Sequence, residues 1–382
     1  MKKAVVTGAC GFIGSNIVKE LLANDYFVYA IIRKEVEIYA NFRKDSRVRF
    51  FYCDMDEYLN LKQEENLAES DILFHFSWAG VADEYSQNYA IQLNNVKNSC
   101  DLLESAIQLK IKKFVFAGSI MEYEHIKAIQ SGYYNVSKRN VYHIAKIAAR
   151  NMLQVIANNS NIHYQPITIS NVFGPGDRSN RLINQLIKSI INHEILPLTP
   201  CEQKYDFMYI DDAAQAIRLV GELGSANKNY YIGNKSPRVL KDYIYNIYKT
   251  LGSMSPLGIG KKDLLGISLD YTEFDTLGIY EDLGFIARTS FSQGIMNTKE
   301  WIEGARQICE RSGGKSFRQA RVERGHITKP EIIEAMTEHT AAQSSNGIGA
   351  GQAPEHTGAF QALPDNNPAA GFNDSRSNTK AE

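Results

Sequence analysis

A tyrosine four residues ahead of a lysine occurs three times within a short span of this chain. Tyr123 and Lys127 lie in YEHIK, and Tyr134 with Lys138 and Tyr142 with Lys146 overlap in SGYYNVSKRNVYHIAK. At that spacing the two side chains share a helix face, where the ammonium lowers the pKa of the phenol and makes it a usable proton donor or acceptor. A second pattern lies at the N-terminus, where VVTGACGFIGSNIVKELL sets Gly8, Gly11 and Gly14 at three-residue intervals between an apolar run and a helical period. Glycines there allow a tight turn and let backbone N–H groups and the helix dipole approach a pyrophosphate. The spacing alone is common, and its place in the first strand–helix unit is what gives it weight.

Cys10 sits inside this loop, where a helix N-terminus could lower a thiol pKa, although a small spacer is the plainer role. The second apolar run ends AIIRKE. Dinucleotide-binding folds that prefer NAD place an acid there for the ribose 2′-hydroxyl, whereas a base accommodates the 2′-phosphate of NADP. Ile32 takes the acid's place and Arg33 and Lys34 follow, which tilts the expectation from NAD towards NADP; the alternative is two solvated basic residues at a strand end.

The elements that must position these groups are legible as an alternation. Short apolar runs (KAVVTG, FVYAII, VRFFYC, DILFHFS, KKFVFAGS) are separated by helical patterns, the longest being IQLNNVKNSCDLLESAIQLK. That is the signature of βαβ units around a doubly wound parallel sheet covered by helices on both faces, an α/β fold. A helix near residues 141–158 and a strand at HYQPITIS continue it. The expected organisation is a dinucleotide-binding domain over residues 1–170 and a smaller mixed α/β substrate lobe over 171–303, partly interleaved with the first. Over 304–382 a tail rich in Gly, Ser, Asn, Gln and Ala is expected to be mostly disordered, since it lacks the apolar residues to offset the entropy of ordering. A short helix at TKPEIIEAMTEHTAAQ, capped by Thr328, is expected to interrupt it; the faint repeat carrying His339 and His356 has no cluster of further ligands, so no metal is expected.

A formal charge of −1 gives no general reason to expect nucleic acid or an anionic membrane as partner. The five cysteines are scattered without metal-ligand spacing and read as reduced thiols of a cytoplasmic protein. Glycines interrupt the apolar run that follows the N-terminal lysines, which argues against a signal peptide, and no stretch approaches the ~20 apolar residues of a membrane span.

Taken in order, TGACGFIG, DILFHFSWAG, NNVKNSCDLL, FVFAGS, a Tyr-x-x-x-Lys, SNVFGPGD and YDFMYIDDAAQAI resemble the extended short-chain dehydrogenase/reductases, in their sugar-nucleotide epimerase, dehydratase and reductase branch, over roughly residues 1–303. The resemblance implies a Rossmann-type fold with NADP or NAD held by Gly8, Cys10, Gly11, Phe12, Ile13 and Gly14, with Arg33 beside it, Asp54 at the adenine, and Phe76, Ser77 and Asn95 lining the cofactor. It makes Ser119 the hydroxyl that binds the substrate oxygen, and Asn171 and Arg181 the holders of a nucleoside-diphosphate sugar. It also chooses among the three pairs. In the family the tyrosine usually follows the serine by some two dozen residues or more, and the lysine precedes the asparagine of SNVFGP by about two dozen. Tyr142 lies 23 after Ser119 and Lys146 lies 25 before Asn171, whereas Tyr134 and Lys138 give 15 and 33. A helix opening near Tyr142 has the ordinary length of a crossover, while starting it at Tyr134 adds poor helix formers. Tyr142 and Lys146 are therefore expected to act with Ser119, Lys146 also holding the nicotinamide ribose.

Departures from the family pattern narrow the chemistry. Ser119 is followed by Ile120 and Met121 where 4,6-dehydratases carry an acidic pair, and the cysteine and histidine of the GDP-fucose synthase branch have no counterparts. What remains is reduction of a 4-keto sugar or C4 epimerisation, as in surface polysaccharide synthesis. The alternative of another class is a non-catalytic dinucleotide-binding sensor on the same fold, which would have no need of all three active-site residues. An arginine common in the family is replaced by Tyr205, with Lys204 a possible substitute, and Trp78 stands where relatives carry alanine, either narrowing the pocket or filling core. By the same analogy a homodimer forms through the long helices.

Overall fold

The computed structural model describes residues 1–33, 41–81, 83–130, 132, 140–263 and 268–311. Tyr134 and Lys138, Lys34, and the tail region with Thr328, His339 and His356 lie outside the described residues. The short runs rich in Val, Ile and Phe form strands: β1 (Lys3–Thr7), β2 (Phe27–Ile32), β3 (Val48–Tyr52), β4 (Ile72–His75), β5 (Lys113–Ser119) and β6 (His163–Ile169). The amphipathic runs between them form α1 (Phe12–Ala23), α2 (Tyr89–Gln108), α3 (Met121–Gln130) and α4 (Asn140–Asn158).

Beyond β6 the elements are shorter. They are β7 (Asn171–Phe173), α5 (Leu182–Ile191), β8 (Lys204–Tyr205), β9 (Phe207–Tyr209), α6 (Ile210–Leu223), β10 (Tyr230–Ile232), β11 (Arg238–Val239), α7 (Leu240–Thr250), α8 (Gly278–Glu281) and α9 (Phe291–Arg311). The main sheet has seven parallel strands in the order β3-β2-β1-β4-β5-β6-β10. Consecutive strand residues face opposite ways, so Ala4 and Val6 join one core with Ile17 and Leu21 of α1 and Ile217 of α6. Val5, Phe114 and Phe116 join another with Leu102 of α2 and Leu153 of α4. Both faces are thus covered, which is why these strands read as near-continuous apolar runs.

Two elements from the second half of the chain complete the sheet rather than the smaller lobe. β10 pairs with β6 through Tyr230 opposite Ile167, and α6 packs beside α1, where Arg218 Nε donates to Glu20 Oε1 at 2.8 Å. The smaller lobe gathers the two-stranded pairs β7–β9 and β8–β11 with α5, α7 and α9. Edge-to-face aromatic contacts tie it: the ring of Tyr243 of α7 lies 5.0 Å from that of Phe207 and 4.8 Å from that of Phe291 of α9. The strand order reverses between β1 and β4, and in an open α/β sheet a crevice forms outside the C-terminal strand ends at that point. Among the described residues no helix is long and apolar enough to cross a membrane.

Candidate active site

The floor of this crevice is the β1–α1 loop. Gly8 has φ +68°, and a Cβ there would come within 2.8 Å of the Phe76 carbonyl carbon and the Ser77 nitrogen. A Cβ on Gly14 would lie 2.2 Å from the Gly8 oxygen. Both positions require glycine for a physical reason, since any side chain would push the loop away from β4 or from α1. Gly11 is the N-cap of α1 and brings no side chain to its first turn, which leaves that helix end open to an anion. Burial pushes the Cys10 thiol up to about 11, although Arg33 and Arg178 oppose the shift. At neutral pH it is a protonated spacer rather than a nucleophile.

With this loop, Ser119, Tyr142 and Lys146 line a cleft of about 530 Å³, together with Phe12, Ile13, Phe76, Trp78 and Arg181. Ser119 is the last residue of β5, and α4 carries the other two one turn apart. Burial pushes the Tyr142 phenol up to about 12; a hydrogen bond with the Ser119 side chain and the Arg181 charge pull it down, and Glu122 pushes it up. The Lys146 ammonium donates to the Ala117 carbonyl at 2.8 Å and lies 3.7 Å from the centre of the Trp78 ring. Burial lowers its pKa to about 7, with Glu122 pulling it up and Arg150 pushing it down. Trp78 is itself fixed, its indole N–H donating to Gln92 Oε1 at 2.8 Å, and its ring meets that of Tyr142 edge-on at 6.2 Å. It therefore lines the cleft and packs on the Lys146 ammonium.

Other expected residues stand behind the cleft. Asn95 is buried with both ends of its amide on Ala79, Oδ1 accepting from the nitrogen at 2.9 Å and Nδ2 donating to the oxygen at 2.8 Å, so it pins the loop after β4. Ser77 belongs to a partly buried chain in which its hydroxyl bonds the Tyr58 hydroxyl at 2.8 Å and Thr7 at 3.0 Å. Asp54 forms a capping box with Glu57 just beyond β3. Arg33 is exposed at the end of β2, near enough for its charge to act on Cys10. Asn171 Nδ2 donates to the Asp206 carbonyl at 3.1 Å. Of the third pair, Lys127 bonds Glu273 and the Tyr123 hydroxyl accepts from Asn229 Nδ2 at 3.0 Å, so both are engaged away from the cleft. Lys204 is exposed and lines a separate hollow with Lys235 and Tyr271.

Several cleft residues had not been singled out from the sequence. Asn16 and Lys19 follow Phe12 at four and seven residues along α1, a helical face that the glycine pattern itself points to. Arg178 and Trp301 come from distant parts of the chain and carried no local signal.

Residues 4–233 match the NAD dependent epimerase/dehydratase family. The chain belongs to that family. It is 25% identical to the CDP-abequose synthase of Salmonella muenchen over 77% of this chain and 96% of the relative. In structure it is similar to the UDP-N-acetylglucosamine 4-epimerase from Methanobrevibacter ruminantium M1 in complex with UDP-N-acetylmuramic acid, with a TM-score of 0.65 and 22% identity over 78% of this chain and 97% of that one. It is likewise similar to MoeE5 in complex with UDP-glucose and NAD, with a TM-score of 0.62 and 22% identity over 80% and 99%. The chain is a Rossmann-type α/β protein of the nucleotide-sugar epimerase, dehydratase and reductase group. Its glycine cradle and open helix N-terminus fit a dinucleotide pyrophosphate.

Proposed function

We propose that this chain is an NAD(P)-dependent enzyme that moves hydride at C4 of a nucleoside-diphosphate sugar, either reducing a 4-keto group or inverting C4, with Ser119, Tyr142 and Lys146 as its acid–base group. The observation that carries the reading is their convergence on the same cleft as the Gly8–Gly14 loop. In this reading Gly8, Gly11, Phe12, Ile13 and Gly14 hold the dinucleotide, and its nicotinamide supplies the hydride donor or acceptor. The Ser119 hydroxyl orients the C4 oxygen, and the Tyr142 hydroxyl gives or takes that oxygen's proton. A phenol held near 12 is a poor base by itself. Bringing the Lys146 ammonium from the Ala117 carbonyl towards the ribose and the phenol would lower that value, which is the work assigned to the lysine. Arg181, at the cleft and at the N-cap of α5, is the candidate partner of the diphosphate, with Asn171 placed farther back.

Elimination of water is disfavoured by the fate of the nearest carboxylate along the chain. Glu122 lies three residues after Ser119, but Arg150 and the Ser119 backbone occupy both of its oxygens. Net reduction is the preferred direction and NADP the preferred cofactor, on the strength of Arg33 at the end of β2. A role in surface polysaccharide synthesis follows from the nucleotide-sugar chemistry. The thiols of Cys10, Cys100 and Cys201 are free, in keeping with a cytoplasmic setting. A homodimer through α2 and α4 is supported by exposed apolar residues on these adjacent helices, Tyr89 and Leu93 on one and Met152 and Val155 on the other.

The test is consumption of NADPH, with NADH in parallel, on dTDP-, CDP-, GDP- and UDP-linked 4-keto-6-deoxy sugars. Oxidation with one of them establishes reduction and its nucleotide. Interconversion of non-keto sugars by protein holding NAD, without net consumption, assigns epimerisation. Neither activity on any member of the panel would refute the reading.

A further inference from the structure

Behind the cleft, and outside its lining, lies a buried ion pair. Glu122 is 2% exposed and sits in the first turn of α3. Its Oε1 accepts from the Ser119 backbone nitrogen at 2.6 Å, and its Oε2 accepts from Arg150 Nε at 2.6 Å. The remaining donors of Arg150 are also engaged: Nη1 donates to Asn229 Oδ1 at 2.9 Å, and Nη2 to the Ile167 carbonyl at 3.1 Å and Thr168 Oγ1 at 3.2 Å. The chain keeps room for this pair at Gly118, where a Cβ would stand 2.0 Å from Arg150 Nη2 and 2.7 Å from Glu122 Oε1. A buried ion pair is weak as a source of stability, because desolvation of the two charges offsets their attraction. A role in the chemistry in front of it accounts better for its retention.

We propose that Glu122, with Arg150 as counter-ion, is a positioning residue for the Ser119–Tyr142–Lys146 group, fixing the backbone of Ser119 and setting the field in which the Lys146 ammonium works. The proposal rests on the reading of those three residues as the reacting group and adds to it a fourth that touches neither substrate nor cofactor. With both oxygens occupied and no place in the cleft lining, Glu122 acts through the others rather than by exchanging a proton itself. Lys146 is faced by Glu122 from α3, by Arg150 on its own helix, and by His75 from β4, together with the rings of Trp78 and Phe116. Burial holds His75 down at about 3, so it is neutral and adds no charge. Of the two ionised groups, Glu122 favours the ammonium and is the stronger influence, and Arg150 disfavours it.

The indole of Trp78 lies 3.7 Å from the ammonium and can report its charge. In full-length protein carrying Trp301→Phe, which leaves Trp78 as the sole tryptophan, emission is followed against pH without substrate. A transition with a midpoint near 7 is expected, and Lys146→Met should abolish it. Glu122→Gln keeps the shape and an acceptor for the Ser119 N–H but removes the charge, and should lower the midpoint by about one pH unit. The double variant Glu122→Gln/Arg150→Met should lie between that value and the parent, and it decides the matter if the single variant does not fold. An unchanged midpoint in whichever variant folds overturns the proposal.

Because no substrate is used, the titration is independent of the sugar panel, and a silent panel would count against the enzymatic reading alone. With a substrate in hand, the alkaline limb of kcat/KM should move to lower pH in Glu122→Gln, with kcat reduced and KM little changed. A limb that stays in place while the fluorescence midpoint moves would overturn the positioning role.

Discussion

Replacing Asp206 by asparagine is expected to change how the stability of the fold depends on pH. Asp206 is fully buried between β8 and β9, and its Oδ2 accepts from the Tyr231 hydroxyl at 2.7 Å and from the Asn234 nitrogen at 2.9 Å. Those bonds favour the carboxylate, but burial outweighs them and raises the pKa from 3.8 to about 6. The folded chain therefore holds this proton more tightly than the unfolded chain does. Its contribution to stability is full below the unfolded value, declines as pH rises from about 4 to about 6, and stays lost above that window. A shift of roughly two units corresponds to about 3 kcal/mol at ~1.4 kcal/mol per unit. Urea unfolding of the wild-type protein and Asp206→Asn in pairs between pH 4 and pH 8 isolates this term, since the other carboxylates cancel in the difference. The wild type should lose about 3 kcal/mol relative to the variant across the window. A difference that is constant with pH, or that changes with the opposite sign, would refute the assignment of a raised pKa to this buried carboxyl.

Other outcomes follow from the cleft and the helices beside it. Tyr142→Phe should lower kcat by about 10²- to 10⁴-fold, as expected for loss of a general acid, with dinucleotide affinity unchanged by calorimetry. Gly14→Ala places a methyl group 2.2 Å from the Gly8 oxygen, so the loop must shift; dinucleotide affinity should fall by at least about tenfold, the ~1.4 kcal/mol of one misplaced hydrogen bond. Leu93→Glu with Val155→Glu puts charge into the exposed apolar stripe and should yield a monomer by light scattering if α2 and α4 form the subunit interface.

Much of the site was legible because its signals are local. The glycines report a turn that tolerates no Cβ, and the tyrosine and lysine report one helix face; neither needs knowledge of what lies across the cleft. The remainder depends on tertiary contact. Glu122 reads in the sequence as an ordinary acidic residue in a first helical turn, and its meaning appears only when α4 brings Arg150 against it, 28 positions later. Trp301 belongs to α9 yet lines a cleft whose floor is near residue 10, a separation no periodicity spans. Asn95 and Asn171 show the converse: a family pattern selects a polar residue near a ligand, while the side chain is engaged in holding backbone in place. Lys146 lies on a helix that the sequence pattern already marks, but its partners, the Ala117 carbonyl and the Trp78 ring, depend on a tryptophan whose role its position alone left open.

The contribution of α6 and β10 to the main sheet has a consequence for anyone wishing to recombine enzymes of this family. A chimera that joins residues 1–170 to a foreign specificity lobe would discard the outermost strand and the helix that covers Phe74, whose ring lies 2.6 Å from where a Cβ on Gly221 would stand. Such a hybrid would begin with an open sheet edge and an uncovered apolar face, both of which invite aggregation. Exchanges that respect the architecture would instead graft segments between these elements, such as the stretch from Pro175 to Arg181, which lines the cleft and contributes no strand to the sheet.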